Sequence, residues 1–128
     1  MRTYTYFFIG LLSFSAAHAE NNCDEATKNN DLIECAVRNL KAEKLAFSIA
    51  LKQLGKNHMI RVNDRTLLKR HYISMARESE YICNRIHVEG RLSSMYSNAC
   101  AAAQFRALTT MAKGMACENR QDSDYCQE

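Results

Sequence analysis

The chain has 128 residues, 47% hydrophobic and 24% charged, with six cysteines, no proline or tryptophan, and a net charge of +3. That length holds one domain, which excludes an enzyme built from separate cofactor and substrate domains. The balance of apolar and charged residues excludes a disordered chain. Four glycines and no proline argue against a sandwich or barrel of many short strands.

Residues 1–19 read as a cleaved signal peptide. Arg2 supplies the positive start, Tyr6 to Phe14 the apolar run, and Ala17 and Ala19 the small residues of a cleavage site before Glu20. The apolar run is well short of the roughly 20 residues that cross a bilayer as a helix. Cys23 is preceded by Glu20, Asn21 and Asn22 rather than by the cleavage site, which argues against a lipid anchor. The expectation is therefore a single domain over residues 20–128, exported to the periplasm or beyond and not spanning a membrane. Cleavage removes Arg2 and no acid, leaving 16 of the 17 Lys and Arg against 14 Asp and Glu, a net of +2. So small an excess does not mark a polyanion binder, and export argues against a nucleic-acid partner.

All six cysteines (Cys23, Cys35, Cys83, Cys100, Cys117 and Cys126) lie beyond the cleavage site. An even number in an exported chain points to disulfides. Zinc is the competitor, but there is no C-x-x-C pair, and His58, His71 and His87 lie outside any tight ligand spacing. Neither a metal nor a cofactor is expected.

In chain order, Ile33, Val37, Leu40, Phe47, Leu51 and Leu54 recur at helical spacing and predict a first helix from about residue 30 to Leu54. Lys44 interrupts that face, either reaching past its neighbours to water or pairing with Glu78 or Glu80, with Glu78 the nearer by register. Gly55 suits a left-handed C-cap. A polar connection leads to a second helix, capped by Asn63 or Asp64 and running to about Ile86. Its seam is Leu68, Tyr72, Met75, Ser79, Ile82 and Ile86, expected to pack on the first helix as an antiparallel hairpin. Gly90 breaks the chain. An alanine-rich third helix spans about Leu92 to Ala116, with Leu92, Tyr96, Ala99 and Ala103 as one stripe and Leu108, Met111 and Met115 beyond. The tail from Glu118 onward reads as polar and irregular. The fold class is all-α, a small three- or four-helix bundle stapled by disulfides. This layout puts Cys83 and Cys100 on either side of the Gly90 corner. The sequential pairing Cys23–Cys35, Cys83–Cys100 and Cys117–Cys126 is thus the working choice among the possible connectivities.

No nucleophile elbow, zinc-protease helix, phosphate loop or dinucleotide glycine pattern occurs, so no catalytic residue is assigned and an enzyme is not expected. The acid pairs Glu78/Glu80 and Asp122/Asp124 read as solvated surface. Arg61, Arg65 and Lys69, spaced four apart and followed by Arg70, can line one helix face. The bland reading is a solvated surface; the functional one is a contact with an acidic protein or an anionic envelope polymer. The acidic tail, with Glu118, Asp122, Asp124 and Glu128, is the other candidate surface.

Cys23 and Ala26, followed by Cys35, form a C-x-x-A-x(8)-C opening that resembles the LprI-like lysozyme inhibitor family of exported bacterial proteins. Cys83, Gly90 and Cys100 match the family's later cysteines and turn, and the segment with Arg106 and Leu108 resembles its closing helix. The likeness covers about residues 23–112. The chain departs from the family pattern at Lys44, Ser48, Tyr72, Met75 and Ser79, so the likeness implies an architecture and carries over no binding residue. What it implies for function is a periplasmic protein that binds and blocks a lysozyme or muramidase. Two other roles suit the same features: an immunity protein that neutralises a toxin delivered to the periplasm, and a non-inhibitory envelope adaptor.

Overall fold

The computed structural model describes Cys23, residues 29–120 and residues 123–127. The signal-peptide assignment, Ala26 and Asp122 lie outside the described residues. Those described form four helices and no strand: α1 (Asn29–Gly55), α2 (Val62–Ile86), α3 (Ser93–Ala116) and the single turn α4 (Asp124–Gln127). None is long and apolar enough to cross a membrane.

The cysteines pair sequentially, Cys23–Cys35, Cys83–Cys100 and Cys117–Cys126, with Cα separations of 5.8, 5.6 and 5.4 Å. These distances suit disulfides, and three such bonds fit an oxidising compartment. Gly90 turns the α2–α3 corner with φ +97°, a conformation that suits a residue without a Cβ. The tail is not wholly irregular, because Cys117–Cys126 folds it back far enough to form α4.

The packing partner of α1 differs from the expected hairpin. The most extensive contact is between α1 and α3, while α2 lies on α3 and touches α1 only lightly. Glu43 meets Arg106, Phe47 meets Phe105, and Asn57 meets Met115, so α1 and α3 run parallel. Between them in sequence, α2 returns antiparallel, with Asn84 bonded to Ser97 and Cys83 to Cys100. The cause lies in what each helix offers. α3 carries no acid and only two cations, and it buries Ala101, Ala102, Ala112 and Ala116, against which Ala36 and Ala50 of α1 are also buried. Such small side chains let two helices approach closely. Phe47 and Phe105 meet edge to face, with centroids 5.4 Å apart. α2 buries only Tyr72, Ala76 and Cys83.

This arrangement rotates the core relative to the expected stripes. On α1 the buried set is Cys35, Ala36, Leu40, Phe47, Ala50, Leu51 and Leu54, and Val37 is exposed. On α2, Ile82 and Ile86 of the expected seam are exposed, because α2 turns Cys83 inward to meet α3. On α3, Tyr96, Ala99 and Ala103 face outward while Ser97, Ala101, Phe105 and Leu108 go inside. Neither Asn63 nor Asp64 caps α2. Arg61 is the N-cap, makes no side-chain cap bond, and instead donates to Asp64 in the first turn.

Gly55 is not a left-handed cap. It is the last helical residue of α1 and lacks a positive φ. The end of α1 is closed by other donors: Lys56 and Asn57 bond back to Gln53 and Leu54, and the Arg120 guanidinium reaches the carbonyl of Gln53. Asn57 is fully buried in the α1–α2 connection. Its amide donates to the carbonyls of Met115 (3.0 Å) and Glu118 (3.1 Å), and its oxygen accepts from the Met59 N–H. Both sides of this side chain are thereby satisfied.

Asn57→Ala removes three hydrogen bonds from a buried position and is expected to cost about 2–3 kcal/mol, read as a lower denaturant midpoint. Replacing Cys83 and Cys100 together by alanine opens a 17-residue separation. The expected loss is about 3 kcal/mol by the loop-entropy account, with α2 and α3 separating first in hydrogen exchange.

Candidate functional site

The cationic face of α2 is one of two candidate surfaces. Of the three basic residues singled out in the sequence, Arg61 is engaged by Asp64 at 2.8 Å, and Arg65 donates to His58 Nδ1 at 3.1 Å. Lys69 lies against Gly55, whose Cβ, if present, would be 3.5 Å from the ammonium. The structure therefore does not assemble Arg61, Arg65 and Lys69 into one free stripe. It instead sets Lys69 beside Arg70 and Arg77, in an open groove of about 570 Å3 that Thr66, Ile73 and Ser74 complete. Arg77 was missed in the sequence. Its signal was the seven-residue step from Arg70, which returns to nearly the same helix face.

The second surface is the end of the bundle where α1 begins, α2 ends and α3 begins. There Leu32, Ala36 and Asn39 of α1 face Met95, Tyr96 and Ala99 of α3 across a groove of about 340 Å3. At the same end α2 and the corner after it leave Ile82, Ile86 and Val88 exposed, the last two at 63% and 68%. Tyr96 stacks with His87 at 6.0 Å. Val37, half exposed, belongs to the same end of α1. Several large apolar side chains left in water at one end of a small helical protein mark a contact surface for another molecule.

The acidic tail does not form a single patch among the described residues. Glu118 is exposed and contributes its backbone carbonyl to Asn57, while Asp124 is exposed in the first turn of α4. Lys113 sits over the Tyr125 ring at 4.8 Å, so the turn that carries Asp124 is held against α3. Among the described residues, no three His, Cys, Asp or Glu side chains gather as metal ligands, and no cysteine is free.

Lys44 pairs with Glu80, at 2.7 Å, and not with Glu78, which is exposed. The register between α1 and α2 brings position 80 rather than 78 to the α1 side, since residues two apart on a helix face different ways. The ammonium also lies 5.6 Å from the centre of the Phe105 ring, so Lys44 spans all three long helices. With side chains 43% and 31% exposed, water screens the pair.

Compared with known proteins, the chain matches no family model, no curated protein and no solved structure.

A double-mutant cycle with Lys44→Met and Glu80→Gln is expected to show a coupling of about 0.5 kcal/mol in thermal or urea melts. The same cycle with Glu78→Gln should be additive.

Proposed function

We propose that the mature chain is an exported periplasmic binding protein, without catalysis of its own, that occupies and blocks a lysozyme-like muramidase. The observation that carries the binding role is the apolar end of the bundle. Ile82, Ile86, Val88 and Tyr96 stand exposed there beside the α1–α3 groove, next to the Cys83–Cys100 staple. A surface held by a disulfide loses little freedom when it meets a partner, so more of its contact energy appears as affinity. The muramidase as target rests on the resemblance of the cysteine spacing to the LprI-like inhibitors. The signal peptide reading and the three disulfides support the periplasm as its location.

A second reading is favoured by a specific feature. The unneutralised cations in the α2 groove suit an acidic partner better than a cationic muramidase. On that reading the chain is an immunity protein that holds an acidic toxin inactive.

The deciding measurement is muramidase turnover with and without the purified mature protein. Inhibition at micromolar protein is expected. Ile82→Asp with Ile86→Asp should weaken it by at least about tenfold, the effect of losing roughly 1.4 kcal/mol of contact, while circular dichroism stays unchanged. Full activity of every muramidase class in the presence of the protein would remove the inhibitor reading. Toxin neutralisation by the same preparation would then establish the second.

A further inference from the structure

The geometry points to the α2 groove as the seat of an acidic segment of the partner protein, one that carries an apolar residue between two carboxylate positions. The inference rests on the reading of the chain as a protein-binding protein, and it adds the chemistry of what is bound.

Three observations lead to it. First, Lys69, Arg70 and Arg77 all line the groove, and among the described residues none of them has a carboxylate within ion-pair distance. Three cations are matched inside the molecule, Lys44 by Glu80, Arg61 by Asp64 and Arg106 by Glu43. What sets Lys69, Arg70 and Arg77 apart from the remaining cations is that they line one groove together. The acid closest in sequence, Glu78, directly follows Arg77 and projects about 100° further round the helix, away from Lys69 and Ile73.

Second, the cations sit at two levels. Lys69 and Arg70 are at one, and Arg77 is seven residues on, about 10 Å along the axis at 1.5 Å per residue. An acidic segment with carboxylates two helical turns apart, or about three residues apart when extended, reaches both levels. Guanidinium groups suit this ligand because each forms two parallel hydrogen bonds to a carboxylate.

Third, the floor between the two levels is apolar. Ile73, half-buried, lines the groove with Lys69, Arg70 and Arg77, and the exposed Ser74 hydroxyl beside it makes no hydrogen bond among the described residues. Thr66 is different, since its hydroxyl is spent on the Val62 carbonyl. A bare phosphate polymer would satisfy the cations and leave Ile73 wet. An acidic segment with a leucine-like residue between its carboxylates covers both, which is why a peptide fits better than a polyanion. The groove is open, so it accepts a segment lying along the surface of α2.

The test is fluorescence anisotropy of labelled peptides added to the oxidised mature protein at physiological salt. One peptide has glutamates flanking leucine at the two-turn spacing, a second replaces the glutamates by glutamine, and a third replaces leucine by serine. The first is expected to bind, the second not, and the third several-fold more weakly. Arg70→Glu with Arg77→Glu should weaken the first peptide by at least about tenfold. A control of equal charge change at exposed sites elsewhere, Arg38→Glu with Arg91→Glu, should alter it by no more than about twofold. Circular dichroism of both variants verifies the fold. The proposal is overturned if the first peptide fails to bind or if the control loses as much affinity as the groove variant. It is equally overturned if the serine peptide or inorganic polyphosphate binds as tightly as the leucine peptide, which would make the groove a plain anion surface. No muramidase or toxin enters this measurement, so loss of either functional reading leaves its result intact.

Discussion

The Asn57 side chain joins two parts of the chain that are far apart in sequence. It sits in the connection between α1 and α2, fully buried, and donates to the carbonyls of Met115 in the last turn of α3 and of Glu118 just beyond it. A buried amide with its partners missing is costly, so the connection and the end of α3 must arrive together. The Arg120 guanidinium bridges the same place, donating to the carbonyls of Gln53 in α1 and Ala116 in α3. Together they align the C-terminal ends of two parallel helices, and that alignment places every other contact between α1 and α3. Along α1, Phe47 against Phe105 and Glu43 against Arg106 follow about three and four turns further up at 3.6 residues per turn.

No disulfide shares that work. Cys23–Cys35 closes the approach to α1, Cys83–Cys100 ties α2 to α3, and Cys117–Cys126 folds the tail. α1 is thus held against the other long helices by non-covalent contacts alone: packing, hydrogen bonds and the ion pairs of Lys44 with Glu80 and of Glu43 with Arg106. The small side chains at that contact, Ala36 and Ala50 on one side and Ala101, Ala102 and Ala112 on the other, bury completely or nearly so and bring the helices close. α2 and α3, whose contact is smaller, are the pair that carries a covalent staple. The covalent bond stands where the apolar contact is thinner, in keeping with how small exported domains supplement a limited core.

The two candidate surfaces follow from this division. Because α3 takes the core face of α1, α2 is left partly unburied. Its cationic side lines an open groove, and its C-terminal end leaves Ile82 and Ile86 in water. The first surface lies on α2, and the second combines the exposed C-terminal end of α2 with the groove between the starts of α1 and α3. A single partner contacting α2 along its length would cover apolar and charged regions together, the usual composition of a protein–protein contact.

The helix limits near Gly55, Ile86 and Ala116, the corner at Gly90 and, as a working choice, the pairing of neighbouring cysteines were legible in the sequence, since each depends on residues within a turn or two or across one short loop. The candidate site was only partly legible. Lys69 was visible as a member of a basic run, but the loss of Arg61 to Asp64 and the entry of Arg77 needed side-chain positions. The burial of Asn57 carried no signal at all, because a polar residue in a polar connection looks like surface until another helix end closes over it. Periodicity shows that a helix has an apolar face but not which neighbour covers it, and so the exposure of Ile82, Ile86 and Tyr96 escaped prediction. The sequence by itself determined the three long helices and their approximate extents, which are local in the chain, and left the cysteine pairing as a choice among connectivities. Only the tertiary structure decided that α1 lies on α3, that Lys44 meets Glu80 and that Lys69, Arg70 and Arg77 line one groove. Those outcomes turn on which small and aromatic side chains fit closest across long separations, and fit of that kind belongs to the assembled core rather than to any segment of the chain.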